Sequence, residues 1–330
     1  MAESLINSIA RLRVIERGLL TKETVSRLVS APSFEECLKI LRETGWGVSD
    51  RTDGETDEID RAVISELNSA YALTRELMPD KYAFVTDVFR MRHDITNVKL
   101  LYKLRLLGEQ DGGARLDAGG VIDEKTLREG IRKGDYSFLP AKISSALEEL
   151  DVTTYRGADP QAVSSSIDAA YIGYAMSVKN AFVREYFGAL ADFTNVIAVL
   201  RGVGEEYLLP GGKYGAAELA AFREAIPVSG EKALGILKSP LETSALKDAV
   251  AAGFAEHLRT GRIAALEKAR DDYLIALASE GRSDIDGVAP IVGYMLAKER
   301  EAEVVRLILT VKRSGAGMGV LDERSLRLYG

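Results

Sequence analysis

One long helix that occurs three times constrains this chain more than any other feature. Phe89 to Gly108 (FRMRHDITNVKLLYKLRLLG) reads as the end of a long helix, with Asp94 and Asn97 on the face that carries Leu101. Tyr186 to Gly204 repeats it, with Asp192 and Asn195 at the same three-residue spacing. Val292 to Gly315 is a third copy, in which Glu301 replaces the aspartate and Val304 the asparagine. The register extends backwards: Asp60 to Asn97 and Glu267 to Val304 each span 37 positions, and Asp168 to Asn195 spans 27. A repeat of roughly 100 residues is too long for the common solenoid periods. It argues for three related helical subdomains arranged about an axis. The joints are the linker Glu109 to Gly120, with four glycines, and the break at Pro210-Gly211-Gly212. The expected divisions are therefore residues 1–115, 116–213 and 214–330.

Nearly every stretch between the joints has helical periodicity. Leu5, Ile9, Leu12, Ile15 and Leu19 fall three or four apart. Ser33 with Glu36 reads as a capping box ahead of Leu38, Ile40 and Leu41. The acidic stretch Asp53 to Asp60 reads as a helix N-terminus, where carboxylates meet exposed amides, and the helix it opens runs until Pro79. Asp123 is placed to cap a helix through Leu127 and Ile131, and Ser137-Phe138 to begin one through Ile143 and Leu147. Asp159-Pro160 is the strongest start signal, because proline at the first helical position forfeits no hydrogen bond. Ser229-Gly230 and Ser239-Pro240 start two more. No run of alternating β-branched residues is long enough for a sheet, so the expected fold class is all-α.

Composition narrows the function. The net charge of −7 argues against binding nucleic acid through its phosphates. The single cysteine, Cys37, excludes an internal disulfide or a cysteine metal cage. Met1 to Ile15 is amphipathic, unlike a signal peptide. The longest uncharged run, Gly287 to Ala297, is too short to span a bilayer. A soluble chain with no direct membrane span is expected.

Candidate reactive sites fail on chemistry. Gly212-Lys213 lacks the upstream glycine of a P-loop and is followed by Tyr214, where Ser or Thr is needed. Asp284 and Asp286 lack the remaining ligands of a calcium loop. Gly315, Gly317 and Gly319 follow a helix, whereas a dinucleotide fingerprint follows a strand. His93 and His257 are the only histidines. No catalytic residue, metal site or cofactor is assigned. Asp94/Asn97 and Asp192/Asn195 are read as structural pairs that satisfy loose backbone groups where a long helix packs on its subdomain.

Taken together, several of these pieces resemble a known family. They are Arg11-Leu12-Arg13 with Glu16 and Leu19-Leu20, Ile59-Asp60-Arg61-Ala62-Val63, and the two D-x-x-N segments Asp94-Ile95-Thr96-Asn97 and Asp192-Phe193-Thr194-Asn195. Gly211-Gly212-Lys213, Tyr294, Lys298-Glu299-Arg300-Glu301 and Arg306-Leu307 complete the set. In order and spacing they resemble the C subunit of V-type (A/V-type) ATP synthases, related to the d subunit of eukaryotic vacuolar ATPases, across essentially the whole chain. The resemblance implies a non-catalytic rotor part, a funnel of three helical domains around a central cavity. It would sit at the cytoplasmic face of the membrane on the proteolipid ring and receive the D and F subunits of the central stalk. The basic ends of the long helices, Lys99, Lys103, Arg105, Arg201, Arg306, Lys312 and Arg313, are then candidates for contacts to ring or stalk. A free-standing helical adaptor for a soluble partner is the alternative. The transported ion, proton or sodium, leaves no mark on this chain.

Overall fold

The computed structural model describes residues 5–47, 56–109, 113–153, 159–238, 244–317, 319–322 and 324–330, with side chains from residue 59 onward in the second of these segments. The fold is all-α, with no strand among the described residues. The helices are α1 (Leu5–Ile15), α2 (Lys22–Ser30), α3 (Phe34–Glu43), α4 (Thr56–Leu77), α5 (Ala83–Leu107), α6 (Glu124–Lys133), α7 (Ala141–Thr153) and α8 (Pro160–Ser177). They continue as α9 (Ala181–Leu200), α10 (Ala216–Ala225), α11 (Gly230–Lys238), α12 (Ala245–Thr260), α13 (Ala264–Glu280), α14 (Ala289–Ser314) and the short α15 (Gly319–Asp322). Two short helices followed by two long ones recur as α2–α5 and α6–α9. In the last stretch α12 is inserted between the short pair α10–α11 and the long pair α13–α14.

Local chemistry sets many of the boundaries. Ser33 Oγ accepts from the Glu36 amide at the start of α3, Asp123 caps α6 through the Thr126 amide, and Asp159 caps α8 through the Gln161 amide with Pro160 behind it. Ser229 Oγ accepts from the Lys232 amide at α11. The three repeated long helices end at glycines with positive φ: Gly108 (71°), Gly202 (74°) and Gly315 (65°). One start differs from the sequence expectation. Residues 137–139 form a turn and α7 begins only at Ala141, because the residue before Pro140 is pushed away from helical geometry. The start signal Ser239-Pro240 and most of the acidic stretch from Asp53 lie outside the described residues. The helix that follows Ser239-Pro240, α12, has Ser244 Oγ accepting from the Lys247 amide at its start.

The chain separates into two compact units, residues 1–86 with 252–330 and residues 87–251, and the divisions fall within α5 and α12. In the first unit α14 lies along α4. Its core includes Leu28, Leu41, Trp46, Val63, Val304 and Ile308. Every residue of α14 from Ala289 to Ala302 is buried, so this helix is enclosed all round for three to four turns. In the second unit aromatic rings close the core between α5, α8 and α9. Phe89 packs edge-on to Tyr186 at 5.0 Å, and Tyr171 packs edge-on to Phe187 at 5.5 Å. The Tyr171 hydroxyl, buried with its ring, donates to the Val88 carbonyl at 2.8 Å.

Candidate functional site

The conspicuous polar groups of this protein are carboxylates buried on the long helices, and each binds backbone amides of a connection. Asp94 on α5 accepts from the amides of Val121 (2.8 Å) and Ile122 (3.3 Å), just ahead of α6. Asp192 on α9 accepts from Lys213 (2.8 Å) and Tyr214 (2.9 Å), just ahead of α10. Glu301 on α14 accepts from the amide of Leu20, just ahead of α2, and is paired with Lys298 Nζ at 2.9 Å. In all three cases an amide directly before the helix N-cap residue (Asp123, Gly215 or Thr21) is held. Asp94 and Asp192 are 0 % exposed and Glu301 2 %. Burial pushes all three carboxyls above the usual range, against the amide bonds that favour the charged form. Burial also works against the Lys298 ammonium, but Glu301 and Glu66 outweigh it and its pKa is raised.

The asparagines grip the same connections one turn further along. Asn97 donates to the Asp117 carbonyl at 2.9 Å and accepts from the Asp117 amide at 2.8 Å. Asn195 makes the same two-way bond with Leu209, at 2.9 and 2.7 Å. A side-chain amide is the natural group for this, since it offers both a donor and an acceptor to the backbone of one residue. The place matching Asp117 and Leu209 ahead of α2 is Ile15, at the end of α1, where the backbone is helical and bonds within itself. No extended residue is there to be held, and Val304 in place of asparagine joins the apolar core instead.

Four of the basic residues at the helix ends are bonded within the protein. Lys99 pairs with Asp168 on α8 at 2.7 and 3.0 Å, and Arg306 pairs with Asp60 on α4 at 3.2 Å. Lys99 and Arg306 each lie two residues beyond the Asn97/Val304 position, so one link recurs at both places. Arg105 pairs with Asp151, donates to the Ile131 carbonyl at 2.9 Å and lies over the ring of Tyr102. The Tyr102 and Tyr136 hydroxyls also donate to Asp151, at 2.9 and 2.8 Å, and burial first, then Asp151, raises both phenols. Lys312 donates to the carbonyls of Val29 (2.7 Å) and Ala31 (2.6 Å) at the end of α2. Lys103 and Arg313 are half-buried and Arg201 is exposed.

Two glycines complete the set, and motif reading does not single out either of them for this role. A Cβ on Gly120 would lie 2.0 Å from Asp94 Oδ1, and one on Gly212 would lie 2.2 Å from Asp192 Oδ1. Each carboxylate can reach the amides only because the residue two before Ile122 or Tyr214 has no side chain. The glycine-glycine pairs 119–120 and 211–212 are the signal in the sequence, readable as close approach as well as flexibility. Among the described residues no group of His, Cys, Asp and Glu side chains is arranged to hold a metal ion. The arrangement is suited to fixing connections onto helices.

Comparison with known proteins identifies the family. The profile of the ATP synthase (C/AC39) subunit family matches residues 8–318. The chain belongs to that family. Similar curated proteins include the A-type ATP synthase C subunit of Methanocaldococcus jannaschii, 24% identical over 92% of this chain and 81% of the relative. The V-type sodium ATPase C subunit of Enterococcus hirae is 20% identical over 98% of both chains. The V-type ATP synthase C subunit of Deinococcus radiodurans is 24% identical over 90% of this chain and 84% of the relative. As a member of that family this chain is a subunit of an ATP synthase complex, and ATP synthesis and ion transport are the work of that complex. No helix among its described residues is long and apolar enough to cross a membrane.

Proposed function

We propose that this C subunit is a non-catalytic element of the central rotor. It is a socket made of three related helical subdomains, residues 1–115, 116–213 and 214–330, arranged as a funnel around a central cavity. It couples the D and F subunits of the central stalk to the proteolipid ring, and it sits peripherally on the cytoplasmic face of the membrane. The observation that carries the reading is the recurrence of the carboxylate-to-amide bond. The first long helix holds the connection before α6, the second holds that before α10, and the last returns to hold that before α2. Such a circuit, in which the last copy serves the first, is what a closed set of three repeats requires.

Torque transfer needs stiffness and two docking surfaces, and it needs no reactive group. Buried, doubly bonded side chains supply the stiffness, because close-packed interiors transmit strain. Lys99, Arg105, Arg306 and Lys312 serve that rigidity through their bonds inside the chain. Lys103 is the better candidate for contacts with ring or stalk. Co-purification tests the proposal: the protein should be recovered with a D/F stalk pair and with ring-containing membranes. Recovery with neither, or stable capture by an unrelated soluble protein alone, sinks the socket in favour of an adaptor.

A further inference from the structure

We propose that His93 and Asp117 form a pH-responsive clasp that tightens the connection between α5 and α6 onto α5 when the imidazole is protonated. His93 Nδ1 lies 2.7 Å from Asp117 Oδ2, with the imidazole side chain only 14% exposed. The same connection meets His93 with a second surface. A Cβ on Gly119 would lie 2.8 Å from the imidazole ring, so the Gly119 backbone rests against it. Gly119 in turn donates its amide to Asp117 Oδ1 at 2.9 Å, and Arg90 binds the carbonyls of Gly119 and Gly120. Asp117 and Gly119 therefore meet one imidazole, at its edge and at its ring.

Histidine changes charge in the range where the cell keeps its pH. Protonated, His93 gives Asp117 a charge-assisted bond, and neutral it keeps at most an ordinary one. The charged groups around the pair include Asp117 on the connection and Asp94, Arg90 and Arg92 on α5; the carboxylates favour the imidazolium and the arginines oppose it. The bond from His93 is the first cause holding the Asp117 carboxyl below its usual range. The molecule also carries its own reference. The connection held by Asp192 and Asn195 has Ala191 and Leu209 at the matching positions, so it lacks the titrating pair. The clasp stands whether or not the rotor reading does.

Amide hydrogen exchange on the full chain between pH 6 and pH 8, corrected for intrinsic rates, tests it. Only two histidines exist, so His257→Gln leaves the His93 imidazole as a single NMR signal to be followed in parallel. Protection of the Asp117 and Gly119 amides is expected to fall about two- to fivefold as pH rises, the size of a partly exposed ion pair. The fall should share its midpoint with the His93 titration, while the Leu209 and Tyr214 amides stay level. His93→Gln and Asp117→Asn should each abolish the dependence. Level protection at Asp117 and Gly119 in the unmutated chain overturns the clasp, as does a midpoint apart from that of the imidazole, or a dependence that survives His93→Gln.

Discussion

Asp192 holds two amides, those of Lys213 and Tyr214, at a place with no exposure to water. Asp192→Ala strands both donors and is expected to destabilise the protein by about 2–4 kcal/mol, read as a lowered urea midpoint. Asp94→Ala should act in the same direction but less, because its bond to Ile122 is the longer one at 3.3 Å. Gly212→Ala pushes a methyl into the Asp192 carboxylate, with an expected loss of roughly 1–3 kcal/mol. In an Asp192→Ala background that loss should largely disappear, since the clash has no partner. The pH dependence has a definite sign. The Asp192 carboxyl is raised by burial, so its contribution is present in full below the unfolded value near ~3.9. It is lost as pH rises through the raised folded value. The stability of the unmutated protein relative to Asp192→Asn should therefore be greater at pH 4 than at pH 7, and urea melts at the two pH values decide it.

Between elements, the long helices are tied to their neighbours by side chains that recur at matching positions. Arg306 on α14 meets Asp60 on α4, and Lys99 on α5 meets Asp168 on α8. Arg306 is 46% and Asp60 28% exposed at the side chain, so solvent screens the pair and its strength is modest. A double-mutant cycle on Arg306→Ala and Asp60→Ala should give a coupling of up to about 1 kcal/mol. A coupling indistinguishable from zero would remove the pair from any account of stiffness. The second long helix has Ile197 at this position, buried at 5% exposure, so packing takes the place of charge there.

For the whole molecule, the charge distribution bears on assembly. Lys103 lies half-buried near the end of α5, beside the bound Arg105. Lys103→Glu is expected to weaken recovery with the D/F pair or with the ring at low salt, and the deficit should shrink as salt screens it. The single change leaves the Asp151 cluster whole, so helical content should match the parent. Binding that is equal to the parent's at every salt concentration would exclude Lys103 from either docking surface.

The sequence by itself determined the all-α class, most helix starts and the residues that repeat. Those follow from periodicity, capping and glycine geometry, which act over a few residues. Spacing also singled out Asp94, Asn97, Asp192 and Asn195, because polar groups recurring on an otherwise apolar face are visible in one dimension. Only the tertiary structure decided which amides these groups bind, that Glu301 reaches back to Leu20, and that Val304 faces no extended residue. It also decided that Lys99, Arg105, Arg306 and Lys312 find partners within the chain. Those outcomes depend on partners tens to hundreds of residues away, and a charge at a helix end looks the same in sequence whether a neighbouring carboxylate or open solvent lies beside it.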